Sequence, residues 1–376
     1  MHLRTITDAP DLRGQTVLLR ASLNVPLADG VVRNQFRLTH TLPTLRFLQD
    51  AGAKTIVIGH IGRATTDTLE PVHRALQTEH PVGWAGSLGT PECATALEQM
   101  APGDSVLLEN LRQDEREQAN DPAIAKELAA LADIYVNDAF AVLHRAHASI
   151  VGVPEHLPAY AGLRVMEEVQ SLAAAMEPAH PSLFILGGAK FETKFSLVEQ
   201  YLDIYDELFI GGALAHDVLR ARGYEIGQSL VSDISLADVS FINDPRLRVP
   251  EDVVVSRADG SVATLAIEDV TSTDTIFDAG PETIARLEAT IASAATVLWN
   301  GPLGNYEAGF NAGTEAVATA LADSASKSYV GGGDTVAAIE SIDRAADFTF
   351  ISTGGGAMLS YLEHGSLPGL TPLLAA

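Results

Sequence analysis

Cysteine is almost absent: Cys93 stands alone, so no intrachain disulfide can form. That usage fits a reducing compartment, and the cytoplasm is the expected location. Cys93 itself reads as a small packed hydrophobe rather than a nucleophile. Long apolar runs are missing too. No stretch approaches the roughly 18 residues of a membrane span, and Met1-His2-Leu3-Arg4 leads into polar residues rather than a signal-peptide core. Positive charge is scarce. Lys and Arg total 24 against 49 Asp and Glu, giving a net charge of −25. This argues against a nucleic-acid partner, which requires a basic field. Lysine is limited to Lys54, Lys126, Lys190, Lys194 and Lys327. The acidic surface admits two readings, a salt adaptation or a compositional bias of the genome. Two nucleotide motifs are also lacking, G-x-G-x-x-G and G-x-x-x-x-G-K-[ST], which sets aside dinucleotide dehydrogenases and P-loop enzymes. No His/Cys spacing matches a protein-built zinc site.

What is present is alternation. With 47% hydrophobic residues over 376 positions, the chain can build two cores. Short apolar runs recur at Thr16–Leu19, Thr55–Ile58, Val106–Leu108 and Ile134–Val136. In the second half they lie at Leu183–Leu186, Leu208–Ile210, Val253–Val255, Val297–Trp299, Tyr329–Val330 and Phe348–Ile351. Amphipathic segments such as Thr44–Asp50, Ala123–Leu131, Phe195–Tyr201 and Glu282–Ala292 separate them. The expected fold class is α/β: two doubly wound parallel-sheet domains separated by a hinged cleft. Ala161–Met176 reads as a connecting helix. The expected division is 1–160 plus about 360–376, a connector over 161–177, and 178–359.

The strand ends differ between halves. In the first they lead to Arg20 and Asn24, with Arg37 farther on, then His60–Arg63, Glu109–Arg112, and Asn137-Asp138 with His144–His147. Cations from four elements at one sheet edge, in an acidic protein, point to an anion site, because guanidinium groups grip phosphate and carboxylate in bidentate fashion. In the second half the strand ends are glycine-rich: Gly187–Lys190, Gly211–Ala213, Asn300–Gly304, Gly331–Thr335 and Thr353–Ala357. Glycines admit close backbone approach, and helix N-termini offer free N–H groups to phosphate. Asp334 is either a ligand for nucleotide-bound Mg²⁺ or a helix N-cap. A small anion in one half and a nucleotide in the other make a phosphoryl transferase, whose chemistry needs positioning, charge neutralisation and water exclusion.

The segments RASLNVP (Arg20–Pro26), HIGR (His60–Arg63), ENLR (Glu109–Arg112), YVNDAF (Tyr135–Phe140) and HRAHAS (His144–Ser149) resemble the phosphoglycerate kinase family, in the family's order. So do LGGAKFETK (Leu186–Lys194), WNGPLG (Trp299–Gly304), GGGDT (Gly331–Thr335) and STGGGA (Ser352–Ala357). The resemblance implies reversible phosphoryl transfer between 1,3-bisphosphoglycerate and ADP, with Mg²⁺ accompanying ATP or ADP, in a monomer. It implies a 3-phosphoglycerate site at Ser22, Leu23, Asn24, Arg37, His60, Ile61, Gly62, Arg63, Arg112 and Arg145. Arg37 and Lys190 would stabilise the transferring group. Lys194 would meet the nucleotide phosphates, with Gly331, Gly332, Gly333 and Thr335 nearby. Glu307 would hold the ribose and Asp334 the Mg²⁺. The C-terminal segment would fold back on the first domain. Four positions depart from the family pattern: Ser22 replaces an acid, Leu23 and Gln113 replace aromatics, and Ala64 replaces a proline. Ser22 lies in the implied substrate site and bears on substrate affinity or identity. Two competing readings remain: a kinase of this fold acting on a related acyl phosphate, and a nucleotide-binding protein without catalysis. Retention of Arg37, Lys190, Lys194 and Asp334 argues against the latter.

Overall fold

A computed structural model describes residues 2–189, 194–233, 236 and 239–375. The chain divides into two compact units, Met1–Gln170 with His364–Ala376, and Ser171–Glu363.

The first unit is built on β1 (Thr16–Arg20), a small hairpin of β2 (Leu27–Ala28) and β3 (Val31–Val32), then β4 (Lys54–Ile58), β5 (Gly83–Gly86), β6 (Ser105–Leu108), β7 (Ile134–Asn137) and β8 (Ala159–Ala161). Apart from the hairpin, these strands form one sheet in the order β5-β6-β4-β1-β7-β8, every pairing parallel. Val17, Leu18 and Leu19 are fully buried in succession. A strand covered on both faces needs such a run rather than an alternation. The chain leaves β1 toward β4 on one side and later returns to β7 on the other. This places a topological switch point beside the carboxyl end of β1, where ligands bind in sheets of this kind.

Helix α1 (Phe36–Asp50) is longer than the sequence reading, because Pro43 lies inside it rather than marking its start. Arg37 therefore sits in its first turn. Helices α2 (Glu70–Leu76), α3 (Pro91–Glu98), α4 (Glu115–Gln118) and α5 (Pro122–Ala129) follow. Thr90 and Asp121 cap α3 and α5 ahead of a proline at the first turn, where a missing N–H loses nothing. Cys93 is buried in α3, and burial pushes its thiol above the usual range, in line with a packing role. Helix α6 (Leu163–Met176) starts where Asp138 accepts the Arg164 N–H at 2.8 Å, and the division between units falls within it.

The second unit contains β9 (Ser182–Leu186), β10 (Glu207–Ile210), β11 (Leu247–Arg248), β12 (Asp252–Ser256), β13 (Val262–Ala266), β14 (Thr275–Ala279), β15 (Thr296–Asn300), β16 (Lys327–Gly331) and β17 (Phe350–Ile351). Its main sheet is also parallel throughout, ordered β11-β10-β9-β15-β16-β17. Its helices are α7 (Phe195–Leu202), α8 (Ala213–Ala221), α9 (Pro281–Ser293), α10 (Ala312–Asp323), α11 (Gly333–Ser341) and α12 (Gly355–His364). One expectation is corrected here. Val253–Val255 does not join the parallel sheet; it is the centre of a separate antiparallel sheet, β13-β12-β14. Val262 is exposed and Ile276 buried, so β13 and β14 lack the continuous apolar signal that marks the main strands.

The C-terminal segment belongs to the first unit. Leu3 and Leu374 form an antiparallel bridge, Arg4 donates its N–H to Leu373 O at 2.8 Å, and Ala375 donates to His2 O at 3.0 Å.

Candidate functional site

In the first unit, the loops after β1, β4, β6 and β7 bring a set of cations together. Arg20, almost fully buried, donates from Nε to Ser149 Oγ (3.0 Å), from Nη1 to Ala21 O (2.7 Å) and from Nη2 to His60 Nδ1 (2.8 Å). A guanidinium can only donate, so Nδ1 of His60 accepts and its proton sits on Nε2. Burial, then Arg20, Arg112 and Arg145, hold His60 far below its ordinary range, so the ring is neutral. Its Nε2–H is buried and has no partner among the described residues. The same is true of Arg112 Nε. An unpaired buried donor is unfavourable by about 1–3 kcal/mol, and two in mutually interacting residues mark a place where an acceptor binds.

The loops are laced to each other. Asn110 donates to Ile61 O (3.0 Å) and Asp67 O (2.8 Å), while its Oδ1 accepts from the Ile61 and Arg112 N–H groups. Arg112 Nη1 donates to Gly62 O, and Asn24 Oδ1 accepts the Gly62 N–H at 3.0 Å. Gly62 has φ +64°, and a Cβ there would meet Asp67 Oδ2 at 1.9 Å, so any other residue would be strained and would push the Asp67 carboxylate aside. Arg37 donates from Nη1 to Asn24 O at 2.5 Å. Burial lowers its pKa, Glu168 opposes that shift, and Arg145 adds to it. Burial lowers the pKa of Arg112, and Arg145, Arg20 and Arg63 add to that shift. The structure thus gathers Asn24, Arg37, His60, Arg63, Arg112 and Arg145 in one electrostatic neighbourhood.

Two expected site residues turn inward. Leu23 is fully buried in the core, and Ile61 is nearly so. Their side chains cannot face a ligand; only their backbone can. Ser22, beside Leu23 in the same loop, is buried with 7% exposed. The sequence reading missed the acid behind the cluster. Glu117, 1% exposed, accepts from Ser149 N (2.9 Å) and Ser149 Oγ (2.5 Å), and so anchors the group that Arg20 holds. In the sequence it looks like one more charge of a surface helix. In the sequence Asp138 stands out only as part of the YVNDAF motif. It is buried with its carboxyl pushed up to about 7, and it caps α6.

In the second unit, the glycine-rich strand ends pack backbone on backbone. Gly187 N–H donates to Asn300 O (2.8 Å), Gly188 to Pro302 O (3.1 Å) and Gly212 to Leu303 O (2.9 Å). A Cβ on Gly187 would stand 2.1 Å from Pro302 O. These loops border a cavity of about 310 Å³ lined by Gly188, Gly212, Pro302, Asn305, Glu307 and Asp334, with an apolar end formed by Leu219, Leu230, Val253 and Ile276. Gly212 caps α8 and Gly332 caps α11, so both helices aim their N-termini at this end of the sheet. The Asn300–Gly304 loop departs from the expected pattern, since it leads to a short 3₁₀ turn at Tyr306–Ala308 rather than directly to a helix.

Asp334 lies inside the first turn of α11, after the cap at Gly332, so its capping role is excluded. Burial and then Glu307 raise its pKa. Two acids bordering one cavity suit a cation. Among the described residues no three His, Cys, Asp or Glu side chains form a metal cage. That donor set fits a hard cation held by one carboxylate and a ligand's phosphates. Thr335 is fully buried; its hydroxyl accepts the Gly301 N–H at 3.0 Å, and the O–H proton is the part of it that could meet a phosphate. Lys194 reaches Ala189 O at 3.0 Å. Lys190 lies outside the described residues. Asp278, missed by the sequence reading, is a buried acid at the cavity wall; burial pushes it up to about 6 while it accepts from Gly313 and Ala279. At the opposite end of β9, Ser182, His180 and Asp206 cluster. Both the hydroxyl (3.2 Å) and the carboxylate (2.7 Å) meet the same ring nitrogen, Nδ1, so this is no nucleophile triad.

A family model described as phosphoglycerate kinase matches residues 6–365. The phosphoglycerate kinase of Herpetosiphon aurantiacus is 41% identical, with 99% of each chain covered. That of a Roseiflexus species is 40% identical, again over 99% of each. Among solved structures, phosphoglycerate kinase from Coxiella burnetii aligns with TM-score 0.83 and 35% identity, covering 99% of this chain and 98% of that one. The enzyme from Pyrococcus horikoshii aligns with TM-score 0.87 and 28% identity over the same shares.

Proposed function

Because the chain belongs to the phosphoglycerate kinase family, we propose that the cation cluster of the first unit and the glycine-lined cavity of the second are the two substrate sites of its reaction. The enzyme is a kinase of glycolysis and moves a phosphoryl group reversibly between 1,3-bisphosphoglycerate and ADP. In the forward direction the bond from phosphorus to the acyl oxygen breaks. A bond to the terminal oxygen of ADP forms, and the carboxylate of 3-phosphoglycerate leaves. Little covalent help is required, so the side chains act by holding and neutralising charge.

The observation that carries the assignment is His60. A neutral ring with a fixed, unpaired Nε2–H, set among Arg20, Arg112 and Arg145, is built to donate to an anion. In this reading Asn24, Arg37, His60, Arg63, Arg112 and Arg145 bind 3-phosphoglycerate, and the backbone of Ser22, Leu23, Ile61 and Gly62 shapes the loop. Arg37 and Lys190 stabilise the transferring group. Lys194 and the Gly331–Gly333 backbone meet nucleotide phosphates, Glu307 the ribose, and Asp334 the Mg²⁺. The ion supplies further charge neutralisation when bound. The reading also has the enzyme working in the cytoplasm as a monomer, with 3-phosphoglycerate bound by residues 1–160 and about 360–376 and nucleotide by 178–359. No helix among the described residues is long and apolar enough to cross a membrane. A coupled assay with 3-phosphoglycerate and MgATP tests the whole, and no turnover would overturn it.

Removing the metal carboxylate separates the two sites. Asp334→Asn should weaken MgADP binding on the order of 10-fold and leave 3-phosphoglycerate binding nearly unchanged. Calorimetry on each ligand alone decides; equal losses for both contradict the assignment.

Ser22 favours a second reading, a related acyl phosphate as substrate. An acid at this position would accept the substrate's hydroxyl as a charged partner, whereas serine offers a neutral bond. The difference is about 1–2 kcal/mol, or roughly 5- to 30-fold in affinity. Repulsion of an added carboxylate by the anionic substrate opposes this, but the surrounding guanidinium groups offset it. Ser22→Asp should therefore tighten 3-phosphoglycerate binding. Weaker binding, with better turnover of another acid by the wild type, would establish the second reading.

A further inference from the structure

We propose that His216 reads the six-position of the nucleotide's purine, accepting a hydrogen bond from an exocyclic amine and disfavouring a carbonyl there, so that adenine nucleotides are selected over hypoxanthine ones. The inference rests on the assignment of the second unit's cavity as the nucleotide site.

His216 lies on α8, one turn from the glycine cap at Gly212, and lines the cavity beside Leu219 and Leu230. Its Nδ1 is 2.8 Å from Leu230 O. A carbonyl oxygen can only accept, so Nδ1 carries the proton and Nε2 bears the lone pair. Among the described residues no group bonds Nε2. Burial holds the ring below its ordinary pKa, so it stays neutral and the lone pair stays available near pH 7. The tautomer is not free to switch, because the segment that supplies the carbonyl is itself fastened to α8. Ser232 donates its N–H to Asp217 Oδ1 at 3.0 Å, and Arg220 pairs with the same carboxylate at 3.2 Å. Leu230, 65% exposed, is thereby held over the cavity, where its side chain can cover a flat base.

The chemistry is directional. The amine at C6 of adenine donates, which matches a fixed acceptor. The carbonyl at C6 of hypoxanthine accepts, and would leave two lone pairs facing each other in a largely desolvated place. A site built to bond one group rejects the analogue lacking it more strongly than shape alone can.

The test compares kcat/KM for MgATP and MgITP with 3-phosphoglycerate in excess, in the wild type, in His216→Phe and in His216→Gln. The expected wild-type preference for ATP is roughly 10-fold, seen mainly in KM. Phenylalanine keeps a ring but no acceptor, and should bring the ratio close to one. Glutamine places an oxygen near the Nε2 position and should restore most of the preference. Equal kcat/KM for the two nucleotides in the wild type overturns the proposal whatever the variants do. An unchanged ratio in His216→Phe overturns it equally. Absence of turnover with either nucleotide in the wild type would instead refute the assignment of the cavity.

Discussion

Arg37→Ala is expected to lower kcat by about 100-fold or more, the usual loss when one preorganised stabiliser of developing charge is removed. Arg37 sits in the first turn of α1 and is anchored by its bond to Asn24 O. It is largely desolvated, which strengthens its field. Lys190→Ala should act in the same way, since phosphoryl charge redistributes only during transfer. Steady-state kinetics with each substrate varied separates the cases. If either variant raised KM and left kcat intact, the residue would bind the ground state and not the transition state.

Gly187→Ala should be among the most damaging single-methyl additions in the molecule. The new carbon would stand 2.1 Å from Pro302 O and 2.6 Å from Gly301 O, both backbone atoms. Those strands are tied by the Gly187–Asn300 and Gly188–Pro302 hydrogen bonds, so neither side can retreat without breaking them. Overpacking against immobile backbone is destabilising by about 3 kcal/mol or more. At about 2–4 °C per kcal/mol for a unit of this size, the melting temperature should fall by about 6–12 °C. Nucleotide affinity should fall with it, because the same loops border the cavity. A melting temperature within about 2 °C of the wild type, with ADP affinity unchanged, would show that the loops are more pliable than their bonds imply.

The main strands were legible because each is a run of apolar residues buried on both faces. Val297–Trp299 lies within Thr296–Asn300, and Leu183–Leu186 within Ser182–Leu186. The antiparallel sheet was not legible. Half of β13 faces solvent, and β12 alone carries a continuous apolar signal, which does not say which sheet it joins. At the site, the cations were found because their positions after strands can be counted along the chain. Glu117 could not be found in this way. What makes it exceptional is Ser149, far along the sequence, and nothing local distinguishes it from its neighbours Glu115 and Arg116. Thr335 shows the converse. It stands next to Asp334 in a phosphate-like motif, yet the turn of α11 sends its hydroxyl to Gly301. A motif reports which residues gather at a strand end; it does not report which way each side chain turns.

The pairing of the two chain ends carries a consequence for synthesis. The second unit is a continuous stretch, Ser171–Glu363, and every residue it uses is synthesised before the 364–376 segment is added. The first unit is interrupted: its opening strand neighbourhood, with Leu3 and Arg4, waits for Leu373 and Leu374. The part translated first is therefore the part completed last. Until the 364–376 segment is made, the nascent chain carries a sheet that has its own strands and lacks this clasp. The edge that Leu374 will cover stays available to other chains for the whole time the second unit is being translated.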